Sequence, residues 1–305
     1  MNQVDFGKLI ASLRKEHEGE DGTPWTQEKL SQEANLAARL SIFSEDIISS
    51  VERGRRKLER QTLLALATAL QLTSDERKEF FLAASGINTP EIARQENDPE
   101  EVYSQVLESI KELYIPAVVI NSYCDVLAVN HILLELLDFQ SAYGITPGVR
   151  YDQPHGYNLL RFIFSEDGSN HFLKLMGKDF PDFAYTAVSM FRTFSLAYRS
   201  TDYFRDLLCE LRKSRLFKQY WSDTYLREKD RQFNTAKIRA NSPRGGVLSM
   251  LITTRTTLTT AGEVHLAVFV PTDINTASAT AEISNQGSTS TIFNLTPWPN
   301  KSNQK

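Results

Sequence analysis

The sequence predicts an α+β protein in two parts. An all-α N-terminal domain of five helices is followed by a domain with a five-stranded antiparallel sheet and helices. Three observations predict this. Apolar residues recur at helical spacing through the first 86 residues. β-branched runs appear only after residue 116, two early and three late, with helical patterns between them. Strands, then helices, then strands is the order of an α+β domain rather than of βαβ repeats. Between the parts lies INTPEIARQENDPEE (87–101), polar and Pro-containing. The expected boundaries are 1–87 for the helical domain, 88–101 for a linker, 102–272 for the second domain and 273–305 for a disordered tail.

Residues 5–16 read as a first helix, with Phe6, Leu9, Ile10 and Leu13 on one face. HEGEDGTPW (17–25) reads as a loop, and its His17 as solvated. Thr26 caps a second helix, TQEKLSQEANL, with Leu30 and Ala34 inward and Gln27 at its first position. A third helix over 45–51 carries Ile47, Ile48 and Val51 inward. Ser44 is its N-cap and Gly54 its stop. Arg53, Arg55, Arg56, Lys57 and Arg60 then crowd cations into one turn. Gln61 to Leu70 is a strongly apolar fourth helix, and Thr73 with Glu76 forms a capping box at the start of a fifth.

The second domain opens with a helix at 102–113. PAVVINSYCDVLAVN (116–130) reads as a hairpin around Asn121-Ser122-Tyr123. Helical patterns follow at 131–138, 157–165, 170–176, 182–198 and 202–221. Strand-like runs close the domain at 233–240, 247–258 and 264–271.

The net charge of −4 excludes a protein that coats nucleic acid over its whole surface, so any attraction for DNA rests on the 53–60 cluster. Two distant cysteines are no disulfide framework and point to a reducing cytoplasm. The N-terminus reads as no signal peptide, and no apolar run spans a membrane. The histidines make no metal spacing, and no nucleophile motif or phosphate loop occurs. The expectation is a protein that is no enzyme, with no catalytic residues, no metal and no cofactor.

TQEKLSQEANL, FSEDIISSVERGRR and QTLLALATAL together resemble the helix-turn-helix of the Cro-like, xenobiotic-response-element superfamily, through Thr26, Gln27, Leu30, Ile48, Ser49, Glu52 and Gly54. Residues 102–271 resemble the ligand-binding domain of MmyB-like transcription regulators. The matching positions are Pro116-Ala117, Asp125 to Ala128 with Asn130, Asn158 to Arg161 with Phe164, and Glu210 to Arg212 with Ser214, Phe217 and Trp221. That resemblance implies a PAS-like fold. Against the family pattern, AARLSIF (37–43) enlarges the turn between the second and third helices.

The resemblance implies a dimeric, sequence-specific DNA-binding regulator that meets a double-stranded operator. The expected DNA-binding residues are Thr26, Gln27, Ser44, Glu45, Asp46, Ser49, Ser50, Arg53, Arg55, Arg56 and Lys57. Positions 45, 46 and 50 would read bases, where an acid accepts from cytosine N4. The plain alternative is that both acids only favour the positive end of the helix dipole. Gln27 and Ser49 would hold phosphates or orient neighbours, and Glu52 reads as a structural acid. The second domain is expected to hold a small apolar, fatty-acid-like ligand against Val118, Ile120, Leu127, Phe162, Phe183, Phe191, Phe194 and Tyr198. Arg192 reads either as an anchor for its carboxylate or as a salt bridge. A different reading makes the first domain a protein-interaction module, an antirepressor or scaffold, because its third helix begins with two acids.

Overall fold

The computed structural model describes residues 1–86, 98–139, 157–227, 236–244, 246–286 and 292–299. Most of the expected linker lies outside them. The chain divides into two compact units. One comprises Met1–Asn88, Arg192–Cys209 and Asp223–Asp230; the other comprises Thr89–Phe191, Glu210–Ser222 and Arg231–Lys305.

The first unit opens with five helices: α1 (Gln3–Lys15), α2 (Gln27–Ala38), α3 (Glu45–Glu52), α4 (Arg60–Ala69) and α5 (Ser74–Ala84). Each start is set by the cap that the sequence offers. The Thr26 hydroxyl accepts from Lys29 N, the Ser44 hydroxyl from Ile47 N, and Thr73 with Glu76 closes a full capping box. Leu9, Ile10, Leu13, Leu30, Ile48, Leu66 and Phe80 form the core, which is joined by Leu196 from far along the chain. Helices α1 and α3 meet closely at Gly7, where an added Cβ would stand 2.4 Å from the Glu52 carbonyl oxygen.

Two local expectations change. The enlarged turn is shorter than AARLSIF, because Ala37 and Ala38 continue α2. Alanine is the best helix former, so the helix runs on until Arg39 turns left-handed at φ 53°. Asn35 then fastens the loop. Its amide donates to Phe43 O at 2.8 Å, and its side-chain oxygen accepts from Ile42 N and Phe43 N. His17 is half-buried rather than solvated. Its ring stacks on Trp25 at 4.4 Å, and its Nε2 lies 3.0 Å from Leu70 O.

The second unit is built on an antiparallel sheet of six strands, not five. They are β1 (Ala117–Asn121), β2 (Val126–Asn130), β3 (Ala236–Ser242), β4 (Gly246–Thr259), β5 (Gly262–Pro271) and β6 (Ile292–Asn294), in the order β3-β4-β5-β1-β2-β6. The added strand, β6, pairs with β2 at the sheet edge. Helix α6 (Pro99–Lys111) covers one face through Tyr103, Val106, Leu107 and Ile110, against Val119, Leu127 and Val264. The β1–β2 turn is locked by buried amides. Asn121 Oδ1 accepts from Tyr123 N and Asp125 N, and Asn158 Nδ2 donates to Asp125 Oδ1 at 2.9 Å.

Helices α7 (His131–Leu136), α8 (Leu159–Phe164), α9 (Glu166–Met176), α10 (Phe180–Phe194), α11 (Asp202–Leu211) and α12 (Arg215–Arg227) follow β2. Helix α10 runs from the second unit into the first, the division falling between Phe191 and Arg192. The expected disordered tail instead contains α13 (Ile274–Gln286) and β6. Its composition conceals them, since α13 buries hydroxyls at Thr276, Thr280 and Ser284 beside Ala279 and Ile283. Thr280 Oγ1 satisfies itself on Thr276 O, while Thr276 Oγ1 accepts from Ser249 N.

Candidate functional site

In the first unit, α3 is aimed by a buried polar cluster at its C-terminal end. Arg14 grips Glu52 with two parallel bonds, Nε to Oε1 at 2.7 Å and Nη2 to Oε2 at 3.0 Å. Its third nitrogen donates to Trp25 O. Gln27 donates its amide to Glu52 Oε2 at 2.6 Å. This arrangement ties α1, α2 and α3 through one carboxylate, which Arg matches in geometry as well as charge. Gln27 is thus half-buried and turned onto Glu52.

The opposite end of α3 is open. Ser44, Glu45 and Asp46 are exposed, and Ser49 and Ser50 are half-buried along the same helix. Thr26 is exposed and spends its hydroxyl on the α2 cap. Beyond α3, Gly54 takes φ 68°, and an added Cβ would stand 2.6 Å from Val4 Cα. This left-handed glycine turns the chain so that Arg53, Arg55, Arg56 and Lys57 follow one another at the surface. None of the four has an ion-pair partner among the described residues. Here a polar helix end and uncompensated cations stand side by side, held by a fully paired interior.

The second unit contains a cavity of about 70 Å³ between the sheet face opposite α6 and helices α7, α8, α9 and α10. Val118 and Ile120 of β1, Val126 and Val129 of β2, and Ala267 and Phe269 of β5 form its floor. Leu133, Phe162, Phe172, Phe183, Ala187 and Met190 are among the helical residues that close it. Thr186 is the only side chain with a hydroxyl among the described lining residues, and that hydroxyl donates to Asp182 O at 2.9 Å. The site therefore offers contact area and no charge.

Four of the expected ligand contacts, Val118, Ile120, Phe162 and Phe183, line this cavity. Five stand elsewhere. Leu127 is fully buried on the other sheet face, against α6, because successive strand residues point to opposite sides. A shift of register between Val119 and Ile120 is what brings both Val126 and Val129 to the cavity side. Phe191 is buried against Trp221, with ring centroids 5.9 Å apart. Phe194 and Tyr198 are half-buried and belong to the first unit.

Arg192 is the clearest correction. It anchors nothing in the cavity and instead pairs with Glu76 of α5, Nε to Oε1 and Nη2 to Oε2, both at 3.0 Å. Arg199, only 1 % exposed, places its Nη2 on the same Glu76 carboxylate and its Nη1 on Glu16 at 2.7 Å. Burial pushes the Glu76 carboxyl up. The charges of Arg192 and Arg199, with hydrogen bonds from Arg192 and Thr73 N, outweigh that and hold it at about 2. No local pattern marks these partners, which lie more than a hundred residues from Glu76.

Residues 101–282 match the family model described as the MmyB-like transcription regulator ligand binding domain. The match covers more than half of the chain. This chain belongs to that family. The MmyB-like match takes in every cavity-lining residue named above and also Arg192 and Arg199. It begins after helices α1 to α5 and ends before β6. A transcription regulator's ligand-binding domain accounts for an apolar cavity that no reaction chemistry surrounds. Among the described residues, no group of three His, Cys, Asp or Glu side chains is placed to hold a metal, and no helix is long and apolar enough to cross a membrane. No curated protein matches the chain.

Proposed function

We propose that this MmyB-like protein is a sequence-specific DNA-binding regulator, dimeric on its operator, whose PAS-like second unit holds a small uncharged apolar ligand. The observation that carries the DNA reading is the pairing of an open α3 N-terminus with an uncompensated cationic turn. Helix α3 has eight residues and is therefore about 12 Å long, a length that fits the major groove. In a Cro-like helix-turn-helix the first residues of this helix meet base edges. Ser44, Glu45, Asp46 and Ser50 are so placed, and either acid would accept from cytosine N4. Arg53, Arg55, Arg56 and Lys57 would then meet phosphates. Gln27 and Glu52 act as positioning residues, because their polar atoms are spent on each other and on Arg14.

The ligand reading rests on the cavity's all-apolar wall. A fatty-acid carboxylate would find no cation among the described lining residues, since Arg192 is committed to Glu76. A neutral molecule suits the site better. The test is salt-dependent binding to duplexes enriched by selection. Four phosphate contacts predict a slope of log K against log salt of about −4. Replacing Arg55 and Arg56 with Ala should reduce that slope by about 2 and weaken specific and random duplex alike. An unchanged slope would show that these side chains never meet phosphate. Retention of a protein partner, with no duplex enriched by selection, would favour the interaction-module reading that the two acids of α3 permit.

A further inference from the structure

The cluster around Glu76 is expensive for what it does locally. Its carboxylate is fully buried and takes Arg192 in a two-bond grip, Arg199 through Nη2, and Thr73 N at 2.9 Å. Arg199 also holds Glu16 just past the end of α1 and donates to Arg192 O at 2.9 Å. Arg192 reaches Gln71 O, between α4 and α5, at 3.4 Å. Two cations and two anions balance, yet buried pairs of this kind seldom stabilise a fold more than apolar side chains would. A cluster that costs as much as it returns is a device for choosing one arrangement.

Its position on the chain shows which arrangement. Arg192 sits near the C-terminal end of α10. Phe183, Thr186, Ala187 and Met190 of the same helix form one stripe, at steps of three, four and seven residues, along the cavity wall. Met190 and Arg192 are two residues apart, about 3 Å along a rigid helix. The cavity, at about 70 Å³, is smaller than the roughly 150 Å³ that accommodates benzene in a known engineered case. A ring-sized occupant therefore has to move a wall, and α10 is one wall.

We propose that Glu76, Arg192 and Arg199 form a clasp through which α10 reports the filling of the apolar cavity to helices α1 and α5. The occupant shifts α10, Arg192 moves with it, and the grip on Glu76 and Glu16 changes. Helix α1 crosses α3 at Gly7, so the change reaches the helix proposed to read DNA. This inference rests on the ligand-responsive reading above, and the test separates the two.

Amide hydrogen exchange is followed over α1 and α5 in the full chain. One arm adds toluene as a neutral ring-sized probe. The other fills the cavity by substitution, Ala187→Leu, and needs no ligand. In both arms the clasp predicts a change of about tenfold in exchange along Ser74–Ala84. The same arms are repeated in Glu76→Gln/Arg192→Met, which removes one charge of each sign and leaves Arg199 with Glu16. There the response in α5 should vanish, while exchange along α10 still responds. Toluene that alters α10 but leaves α5 untouched overturns the clasp and spares the ligand reading. If toluene leaves α10 untouched, the ligand reading fails and the Ala187→Leu arm decides the clasp alone. An unchanged α5 in that arm overturns it.

Discussion

Glu76→Gln is the perturbation whose cost the structure specifies most closely. The substitution keeps the side chain's shape and removes its charge from a site with no exposure. Arg192 and Arg199 stay buried, with only Glu16 left as a formal counter-charge among their described partners. The proton affinity of Glu76 gives the scale. A carboxyl held at about 2 instead of the ordinary 4.5 stabilises the folded unit by about 3 kcal/mol at neutral pH, at about 1.4 kcal/mol for each pH unit. Breaking one side of a buried pair costs about 3–5 kcal/mol in general, which agrees. The first unit's thermal transition should therefore fall by roughly 15 °C.

The double variant Glu76→Gln/Arg192→Met should recover much of that loss, because it strands no charge. The wild-type contribution is fully present above pH 4.5 and is lost as pH falls toward 2, since the unfolded chain takes up the proton first. Glu76→Gln should flatten that acid limb. Calorimetry of the full chain between pH 2 and 7 measures all three quantities. A single variant within about 0.5 kcal/mol of wild type, with the acid limb intact, would refute the buried-charge argument.

The remaining predictions concern other elements. Gly7→Ala drives a Cβ into the α3 backbone, where no flexible side chain can yield. It should cost about 1–3 kcal/mol and weaken duplex binding, checked by melting and anisotropy together. Phe183 stacks on Phe172 at 5.2 Å in the cavity wall. Phe183→Ala should cost about 3–5 kcal/mol and enlarge the cavity enough for toluene to bind more tightly, as calorimetric titration would show. Burial holds the His265 imidazole down to about 3, so its 3.5 Å contact with Glu263 is no ion pair at neutral pH. The unfolded chain takes up this proton near pH 6.5, so stability is fully present above 6.5 and lost as pH falls toward 3. His265→Gln should flatten that limb in a urea-melt series.

What the residues disclosed in advance follows the range of the forces involved. Capping at Thr26, Ser44 and Thr73 is local chemistry between residues three apart, and the five N-terminal helices begin where those caps stand. The stripe at Phe6, Leu9, Ile10 and Leu13 is equally local and is buried as a face. Glu76 shows the limit. Its capping-box role is legible three residues from Thr73, but its two arginines come from a distant helix end and turn, and no periodicity links them.

The cavity is a similar case. Val118 and Ile120 share a strand face, as alternation requires, whereas the bulge beside Ile120 reassigns the β2 residues and sends Leu127 to the other side. Strand β6 has three residues and was concealed by its length. Helix α13 was concealed by hydroxyls that bond within the structure rather than to water.

The central claim is that α3 and the turn after it read DNA. Fluorescence anisotropy of the full chain tests it most directly, comparing a duplex enriched by selection with a random duplex of equal length at matched salt. The account predicts a selected complex at least about a thousandfold tighter, with a salt slope near −4. It also predicts that Glu45→Ala with Asp46→Ala narrows the gap between the two duplexes without changing the slope. Equal affinity for both duplexes, or no binding at low salt, would contradict it.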